Sequence, residues 1–233
     1  MNDFVSALKK MSKALFPNRC EFCGEVIEFK EAVCKECEAL PKIDLPACKY
    51  CGASKDDCSC NKRKNEYKAI TAPYYYKDNV VTAVHRFKDS YMLFLSKRFA
   101  KDIADSVKEN FSEMSFDAVT YIPMTKRSTR EREYNQSMLL AKEVAEILDI
   151  PFCTLLIKTQ ETKPQKKQSA RQRKVNLYGA FDVTDKEFVK DKAILLIDDV
   201  KTTGSTLNEC SKMLKIYGAS AVYCGVLAIT KRN

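Results

Sequence analysis

From residue 67 onward, short unbroken apolar runs alternate with longer segments in which apolar residues recur every three or four positions. Unbroken runs are typical of strands buried on both faces, and the longer period is typical of amphipathic helices. The predicted strands are 67–76, 116–122, 153–157, 179–183, 193–197 and 221–229, and the predicted helices are 79–87, 93–107, 134–148 and 207–217. Strands that alternate with helices predict an α/β fold with a mostly parallel sheet.

The N-terminal segment shows a different pattern. Four apolar residues recur at helical spacing within residues 1–16, with lysines between them: Phe4, Leu8, Met11 and Leu15. This spacing predicts an amphipathic helix without the continuous apolar core of a secretory signal. No apolar run approaches the roughly 20 residues that a membrane span needs. We therefore expect a cytoplasmic protein without a membrane span, in which this helix packs on neighbouring residues.

Eight of the 11 cysteines lie in the first 60 residues, in four close pairs. Three pairs are CxxC and the last is CxC: Cys20, Cys23, Cys34, Cys37, Cys48, Cys51, Cys58 and Cys60. Gly24 and Gly52 follow the first and third pairs, and glycine permits the positive φ that lets two thiolates face one ion. The spacing predicts two structural zinc sites, each closed by four thiolates. An iron–sulfur cluster and redox disulfides are the alternatives.

The spacing leaves two ways to share these eight thiolates. In sequential pairing, residues 20–37 bind one ion and residues 48–60 bind the other. In a cross-braced arrangement the pairs interleave. The remaining cysteines lie in apolar periodic segments and are predicted to be core thiols: Cys153, Cys210 and Cys224.

The distribution of charge also separates the cysteine-rich segment from the rest of the chain. The chain has 40 Lys and Arg against 31 Asp and Glu, but residues 1–62 carry 10 of each, so the net charge of +9 lies entirely after residue 62. A zinc module that held nucleic acid electrostatically would be basic, so we expect this one to serve as a scaffold or to contact a partner. The sequence predicts a helix with two zinc sites at 1–62 and an α/β domain at 63–233.

The most informative motif follows the predicted strand at 193–197. Two adjacent carboxylates, Asp198 and Asp199, are followed by a Thr/Gly/Ser loop and a helix. Open α/β sheets bind ligands at the carboxyl ends of their strands, and loop hydroxyls with a helix N-terminus favour phosphate. Carboxylates beside a phosphate site indicate one ligand that carries a phosphate and either a diol or Mg²⁺. The alternative is a parallel strand with an acidic end and an N-capped helix.

Two basic segments follow other predicted strands. Residues 123–136 carry four basic residues against two acidic ones directly before a helix, as a pyrophosphate-binding loop would. Residues 158–176 carry seven Lys and Arg against the single acid Glu161. This composition predicts a mobile lid over pyrophosphate. A solvated charged loop is the alternative for both segments.

The run 193–206 resembles the ribose-5-phosphate-binding motif of the type I phosphoribosyltransferases: an apolar strand, Asp-Asp, two variable residues, threonine, glycine and Ser-Thr. In that family the acidic pair holds the 2′- and 3′-hydroxyls of phosphoribosyl pyrophosphate (PRPP), and the loop wraps the 5′-phosphate. The resemblance implies that Asp198 and Asp199 are the catalytic pair. It further implies that PRPP contacts the whole motif: Asp198, Asp199, Val200, Lys201, Thr202, Thr203, Gly204, Ser205 and Thr206.

Residues 130–136, Arg-Glu-Arg-Glu-Tyr-Asn-Gln, resemble the RxRGFNQ signature of the ComF (competence protein F) family. The eight cysteines match its double zinc ribbon, and residues 85–89 resemble its basic stretch at a helix end. The pattern around the second basic segment also fits: Gln165, Arg173, Asn176, Ala180 and Phe181. Glu133 departs from the family, which has glycine there. A carboxylate at that position would repel pyrophosphate unless it turned away or helped to hold Mg²⁺.

The resemblance implies a type I phosphoribosyltransferase-like sheet, a double zinc ribbon, Mg²⁺ bound with PRPP, and a link to DNA uptake in natural transformation. As an enzyme, the protein would transfer phosphoribose to a nitrogen acceptor that the sequence does not identify. The implied pyrophosphate and loop residues are Lys126, Arg127, Arg130, Arg132, Asn135, Gln136, Gln165, Arg171, Arg173 and Asn176. The alternative is a non-catalytic adaptor for single-stranded DNA, whose zinc module contacts a DNA-uptake helicase or transport protein. The oligomeric state stays open.

Overall fold

The computed structural model describes residues 17–28, 30–60, 65–89, 92, 94–125, 134–159 and 179–231. The predicted N-terminal helix and most of both basic segments lie outside this part of the chain. In chain order the helices and strands are α1 (Lys35–Glu38), β1 (Ala69–Thr71), β2 (Tyr74–Tyr75), α2 (Asp78–Asp89), α3 (Leu95–Asn110), β3 (Ala118–Tyr121), α4 (Gln136–Leu148), β4 (Leu156–Lys158), β5 (Phe181–Val183), α5 (Lys186–Val189), β6 (Ala193–Lys201), α6 (Ser205–Ile216) and β7 (Ala221–Ile229).

Five strands form one parallel sheet in the order β1–β7–β6–β3, with β2 also paired to β7. Helices cover both faces of this sheet, which explains the unbroken apolar runs of β6 and β7. On β6, Leu195 and Ile197 share a core with α3 and α4, whereas Ile194 and Leu196 share a core with α6. The predicted α/β class and the mostly parallel sheet are confirmed.

Helix α6 shows how the pattern specifies packing. Leu207, Cys210 and Leu214 recur at helical spacing and are all buried against the sheet. Gly218, with φ of +95°, follows the helix and permits the chain to turn into β7. Cys210 and Cys224 are buried core thiols as predicted, while Cys153 is half-buried.

Several predicted strands have different bounds or partners in the structure. The strand at 67–76 is two strands, because Pro73 interrupts it and its carbonyl accepts a hydrogen bond from the Ile43 amide at 2.9 Å. An isolated parallel bridge joins Phe152 to Val119 of β3, but the strands found near 153–157 and 179–183, β4 and β5, pair with each other in antiparallel orientation. Strand β6 continues past residue 197 to Lys201 and includes both aspartates. Periodicity reports burial along a segment but not its pairing partner, which explains these differences.

The cysteine-rich segment packs on both sides of the sheet edge formed by β1 and β2. On one side, the Phe22 ring makes edge contacts with Tyr74 at 5.6 Å and Phe99 at 5.7 Å between centroids. On the other side, a Cβ placed on Gly52 would lie 3.6 Å from Ile70 and Ile229. The segment therefore contributes to both hydrophobic cores, and the boundary at residues 62 and 63 stays a prediction.

Candidate functional site

The cysteines form two four-thiol clusters, which we call the first cluster (Cys20, Cys23, Cys34, Cys37) and the second cluster (Cys48, Cys51, Cys58, Cys60). In each cluster the sulfur atoms lie within 4.8 Å of one another, so the pairing is sequential and not cross-braced. Four of these Sγ–Sγ distances are 3.4, 3.6, 3.7 and 3.8 Å. Tetrahedral zinc with Zn–S bonds of about 2.3 Å requires about 3.8 Å, whereas a disulfide requires about 2.05 Å. The donor sets fit structural Zn²⁺.

The two clusters share one backbone turn. Gly24 and Gly52 have φ of +84° and +85°, and their amides donate to the carbonyls of Cys20 and Cys48 at 3.0 and 2.7 Å. Only glycine adopts this conformation without strain. The turn brings the two cysteines of each CxxC pair to one point, as the sequence predicts.

Asp198 and Asp199 lie near the carboxyl end of β6 and contact different groups. The Ser137 hydroxyl, in the first turn of α4, donates to Asp198 Oδ1 at 2.7 Å. The same oxygen accepts the Asp199 amide at 2.9 Å. Asp199 Oδ2 instead pairs with the Lys88 ammonium at 2.5 Å. The adjacent carboxylates therefore contact two different helices, α4 through Ser137 and α2 through Lys88.

Burial and neighbouring charges shift the pKa of two groups in this site, Asp198 and Lys88. Burial raises the pKa of Asp198 to about 7, and the adjacent Asp199 carboxylate adds to the rise. The Ser137 hydroxyl and the Lys88 ammonium oppose this shift. Burial lowers the pKa of Lys88, but the carboxylates of Asp199 and Asp198 together with Tyr76 outweigh burial, so the net shift of this pKa is upward. A cation entering the site would favour the ionised form of Asp198 and compete with Lys88 for Asp199.

Loop 202–206, whose last two residues begin α6, follows β6. Gly204 is the N-cap residue of α6 with φ of +78°, and a Cβ on it would lie 3.1 Å from Lys201 Cε. The Thr203 hydroxyl lies 3.0 Å from the Ser205 hydroxyl. Hydroxyls and the amides of the first turn of α6 thus converge beside the acidic pair. This arrangement suits an anion such as phosphate.

Family models match both parts of the chain. Residues 135–233 match a phosphoribosyl transferase domain, and residues 11–67 match a double zinc ribbon domain. Competence protein F of Haemophilus influenzae is 29% identical over 225 residues, which cover 91% of this chain and 97% of that protein. Competence protein ComFC of Bacillus subtilis is 28% identical over 202 residues, 82% of this chain and 81% of that protein.

Together these matches support a ComF family protein. DNA utilization protein YhgH of Escherichia coli K12 is also similar, with 25% identity over 225 residues that cover 92% of this chain and 98% of that protein. The double zinc ribbon match spans all eight clustered cysteines, which supports two structural zinc sites. Within the described ranges, no helix has the length and apolar content to cross a membrane.

Lys88 is the site residue to which sequence reasoning assigned no role. It lies in the last turn of α2, within the basic stretch 85–89 that resembles the family, and that stretch is the only signal that could have found it. Two side chains hold this end of the helix: the Tyr134 hydroxyl donates to the Phe87 carbonyl at 2.6 Å, and the Gln136 amide donates to the Lys88 carbonyl at 3.4 Å.

Asn135 and Gln136 were predicted to face pyrophosphate, and the structure shows them bonded to backbone. Asn135 accepts the Met138 amide at 3.2 Å and donates to the Ile122 carbonyl at 3.1 Å, so it caps α4. Both side chains are buried. Their contact with pyrophosphate stays a prediction. The other predicted loop residues lie outside the described residues, as does Glu133: Lys126, Arg127, Arg130, Arg132, Gln165, Arg171, Arg173 and Asn176.

Proposed function

We propose that this ComF protein binds PRPP with Mg²⁺ at the carboxyl edge of the sheet and transfers phosphoribose to a nitrogen acceptor. The observation that carries the proposal is the acidic pair on β6 directly beside loop 202–206. Asp198 and Asp199 would bind the ribose hydroxyls, and the loop would bind the 5′-phosphate. Mg²⁺, which prefers oxygen ligands and bound phosphates, would neutralise charge on the pyrophosphate.

The roles of the residues follow from their positions. In the proposed reaction the acceptor nitrogen forms a bond to C1′ of the ribose, and the bond from C1′ to the pyrophosphate oxygen breaks. Positive charge develops on the ribose ring, and the Asp199 carboxylate beneath it would stabilise that charge. Lys88, whose ammonium pairs with the Asp199 carboxylate at 2.5 Å, would be drawn towards the anionic ligand.

Calorimetric titration with Mg²⁺ and PRPP tests this proposal. We expect the wild type to bind and the Asp198→Asn and Asp199→Asn variants to lose at least tenfold in affinity, because each loses a charged hydrogen-bond acceptor. Asp105→Asn is the matched control, since this aspartate lies on α3 and pairs with Lys101. Undiminished binding by both site variants would overturn the proposal. Pyrophosphate release with a panel of bases and amines then identifies the acceptor.

A second candidate function is the handling of single-stranded DNA during DNA uptake. The names of the relatives, competence proteins and a DNA utilization protein, support the link to uptake. A cleft of about 480 Å³ at the amino ends of β1 and β7 supports direct binding. Three lysines and two tyrosines line it: Lys49, Lys68, Lys215, Tyr50 and Tyr67. Lysines can hold phosphates while bases stack on tyrosine rings.

Binding of an unstructured oligonucleotide across a salt series tests this second candidate. We expect affinity to fall steeply with salt, and the Lys49→Gln/Lys68→Gln double variant to reduce the slope. Lys97→Gln, an exposed lysine on α3, is the control. Binding that is insensitive to salt and to the double variant would contradict it. Contact between the zinc ribbon and an uptake helicase or transport protein stays a prediction.

A further inference from the structure

We infer that the two zinc centres are positioning parts of the PRPP site, each acting through one basic side chain. Arg86 connects the first cluster to the acidic pair, and Lys201 connects the second cluster to loop 202–206. The inference rests on the proposed function, because it assigns the zinc ribbon a role in that same site.

The first cluster holds α2 near both of its ends. Arg86 Nη1 lies 2.8, 3.1 and 3.2 Å from the carbonyl oxygens of the first CxxC turn, at Cys20, Glu21 and Phe22. At the other end of the helix, the Asn79 amide donates to Cys37 Sγ at 3.2 Å. Lys88, two residues after Arg86, makes the 2.5 Å contact with Asp199. The position of the ammonium that faces the acidic pair therefore depends on the first cluster.

The second cluster contacts loop 202–206 through Lys201. The Lys201 ammonium donates to the carbonyl of the zinc ligand Cys51 at 3.0 Å, and the side chain is buried. Its Cε lies 3.1 Å from the position of a Cβ on Gly204, so the lysine stem packs against the loop. The Tyr67 hydroxyl lies 3.7 Å from the same position and donates to the Tyr50 carbonyl at 3.1 Å.

The contacts of Arg86 and Lys201 have the same physical basis. Four thiolates and one Zn²⁺ carry a net charge of −2, so a cationic side chain is attracted to each centre. The CxxC carbonyls that accept these hydrogen bonds have fixed positions only while the four thiolates bind the ion. Since linkage is reciprocal, zinc that strengthens PRPP binding is itself bound more tightly, by the same factor, when PRPP is present.

The Arg86→Met and Lys201→Met variants test the inference, because methionine keeps an apolar stem and removes the charge. We expect each variant to retain two zinc ions per chain and to bind Mg²⁺–PRPP about tenfold more weakly. Lys231→Met is the matched control: it removes the 2.6 Å pair of Lys231 with Asp57, which joins the second zinc segment to the end of β7 but does not reach the site. We expect wild-type affinity from it.

The affinities of each variant for ribose 5-phosphate and for Mg²⁺–PRPP distinguish a positioning role from general destabilisation. Lys201→Met is expected to weaken binding of ribose 5-phosphate as much as that of PRPP, since it acts on the loop. Arg86→Met is expected to weaken PRPP with Mg²⁺ more than ribose 5-phosphate, since it acts through Lys88 on the acidic pair. Equal losses in all three variants, or wild-type affinity in Arg86→Met and Lys201→Met, would overturn the inference.

Two measurements keep the inference separate from the proposed function. In equilibrium competition with a colorimetric zinc chelator, the zinc affinity of the protein should rise severalfold when Mg²⁺–PRPP is added, compared with Mg²⁺ alone. Hydrogen exchange needs no ligand: the amides of residues 202–206 should exchange faster in Lys201→Met than in Lys231→Met. A wild type that fails to bind PRPP negates the proposed function, whereas unchanged exchange in Lys201→Met negates this inference.

Discussion

The two cysteine clusters have the same ligands and the same glycine turn, yet they differ in burial and in what they contact. In the first cluster, Cys20 and Cys37 are buried in the core that contains α2 and α3. All four cysteines of the second cluster are half-buried, and Cys51 packs against the core that contains α6. One cluster therefore supports the helix that carries Lys88, and the other supports loop 202–206. The same sequence motif, repeated in the chain, therefore contacts two different parts of the candidate site.

Substitution of a zinc-binding cysteine should have the largest effect on stability and should show whether the two clusters differ energetically. Cys37→Ser should release one zinc ion and destabilise the protein strongly, because structural zinc contributes on the order of 10 kcal/mol to folding of small modules. Cys60→Ser should also release one ion but lower the unfolding temperature less, because the second cluster is less buried. Zinc content and thermal unfolding measure both. Equal temperature losses would show that the burial difference has no energetic consequence.

The free energy of unfolding should depend on pH through Asp198. The pKa of Asp198 is raised to about 7 in the folded protein, so the folded state binds this proton more tightly than the unfolded chain does. The resulting stability is fully present below the ordinary carboxyl pKa and is lost as pH rises through 7. Asp198→Asn should therefore gain about 2 kcal/mol relative to the wild type between pH 5 and pH 8.

Urea unfolding of both proteins at several pH values measures this difference. A stability difference that stayed constant across the range would show that Asp198 titrates normally. Asp105→Asn, on the solvent-facing side of α3, serves as the reference for a carboxylate outside the site.

In loop 202–206, adding a side chain at Gly204 should lower the stability of the protein. Gly204→Ala should destabilise the protein by about 1–2 kcal/mol, since alanine is strained at positive φ and its Cβ would lie 3.1 Å from Lys201 Cε. Gly179→Ala is the matched control, with φ of +73° and no atom within 4 Å of its Cβ position. If the two variants lose the same stability and phosphate affinity, Lys201 does not pack closely on the loop.

The smallest effect is expected at the surface contact of the second cluster. Lys231→Met removes an ion pair with Asp57 whose two side chains are 52% and 35% exposed. Exposed pairs are screened by salt and contribute little. The unfolding temperature should match that of the wild type at physiological salt. A clear decrease would show that this pair, and not Lys201 alone, secures the second cluster to the domain.

Local chemistry explains what could be predicted from the sequence. The stripe Leu207, Cys210 and Leu214 predicted α6, and the unbroken apolar runs predicted buried parallel strands, because burial imposes these periods on the chain itself. The CxxC turns with Gly24 and Gly52 predicted the zinc ligands, since the ligands of each turn lie three residues apart. Asp198 and Asp199 were found because the acidic pair and the loop are contiguous.

The tertiary structure alone decided which distant residues meet. Lys88 and Asp199 are more than 100 positions apart, and Lys201 reaches a carbonyl 150 positions away. The sharing of the eight thiolates and the antiparallel pairing of β4 with β5 likewise depend on partners brought together by folding. The sequence by itself determined the fold class, the zinc ligands and the acidic motif, because each depends on residues that are close together in the chain. The contacts that join the zinc centres to the site depend on packing across the sheet, and no local pattern encodes them.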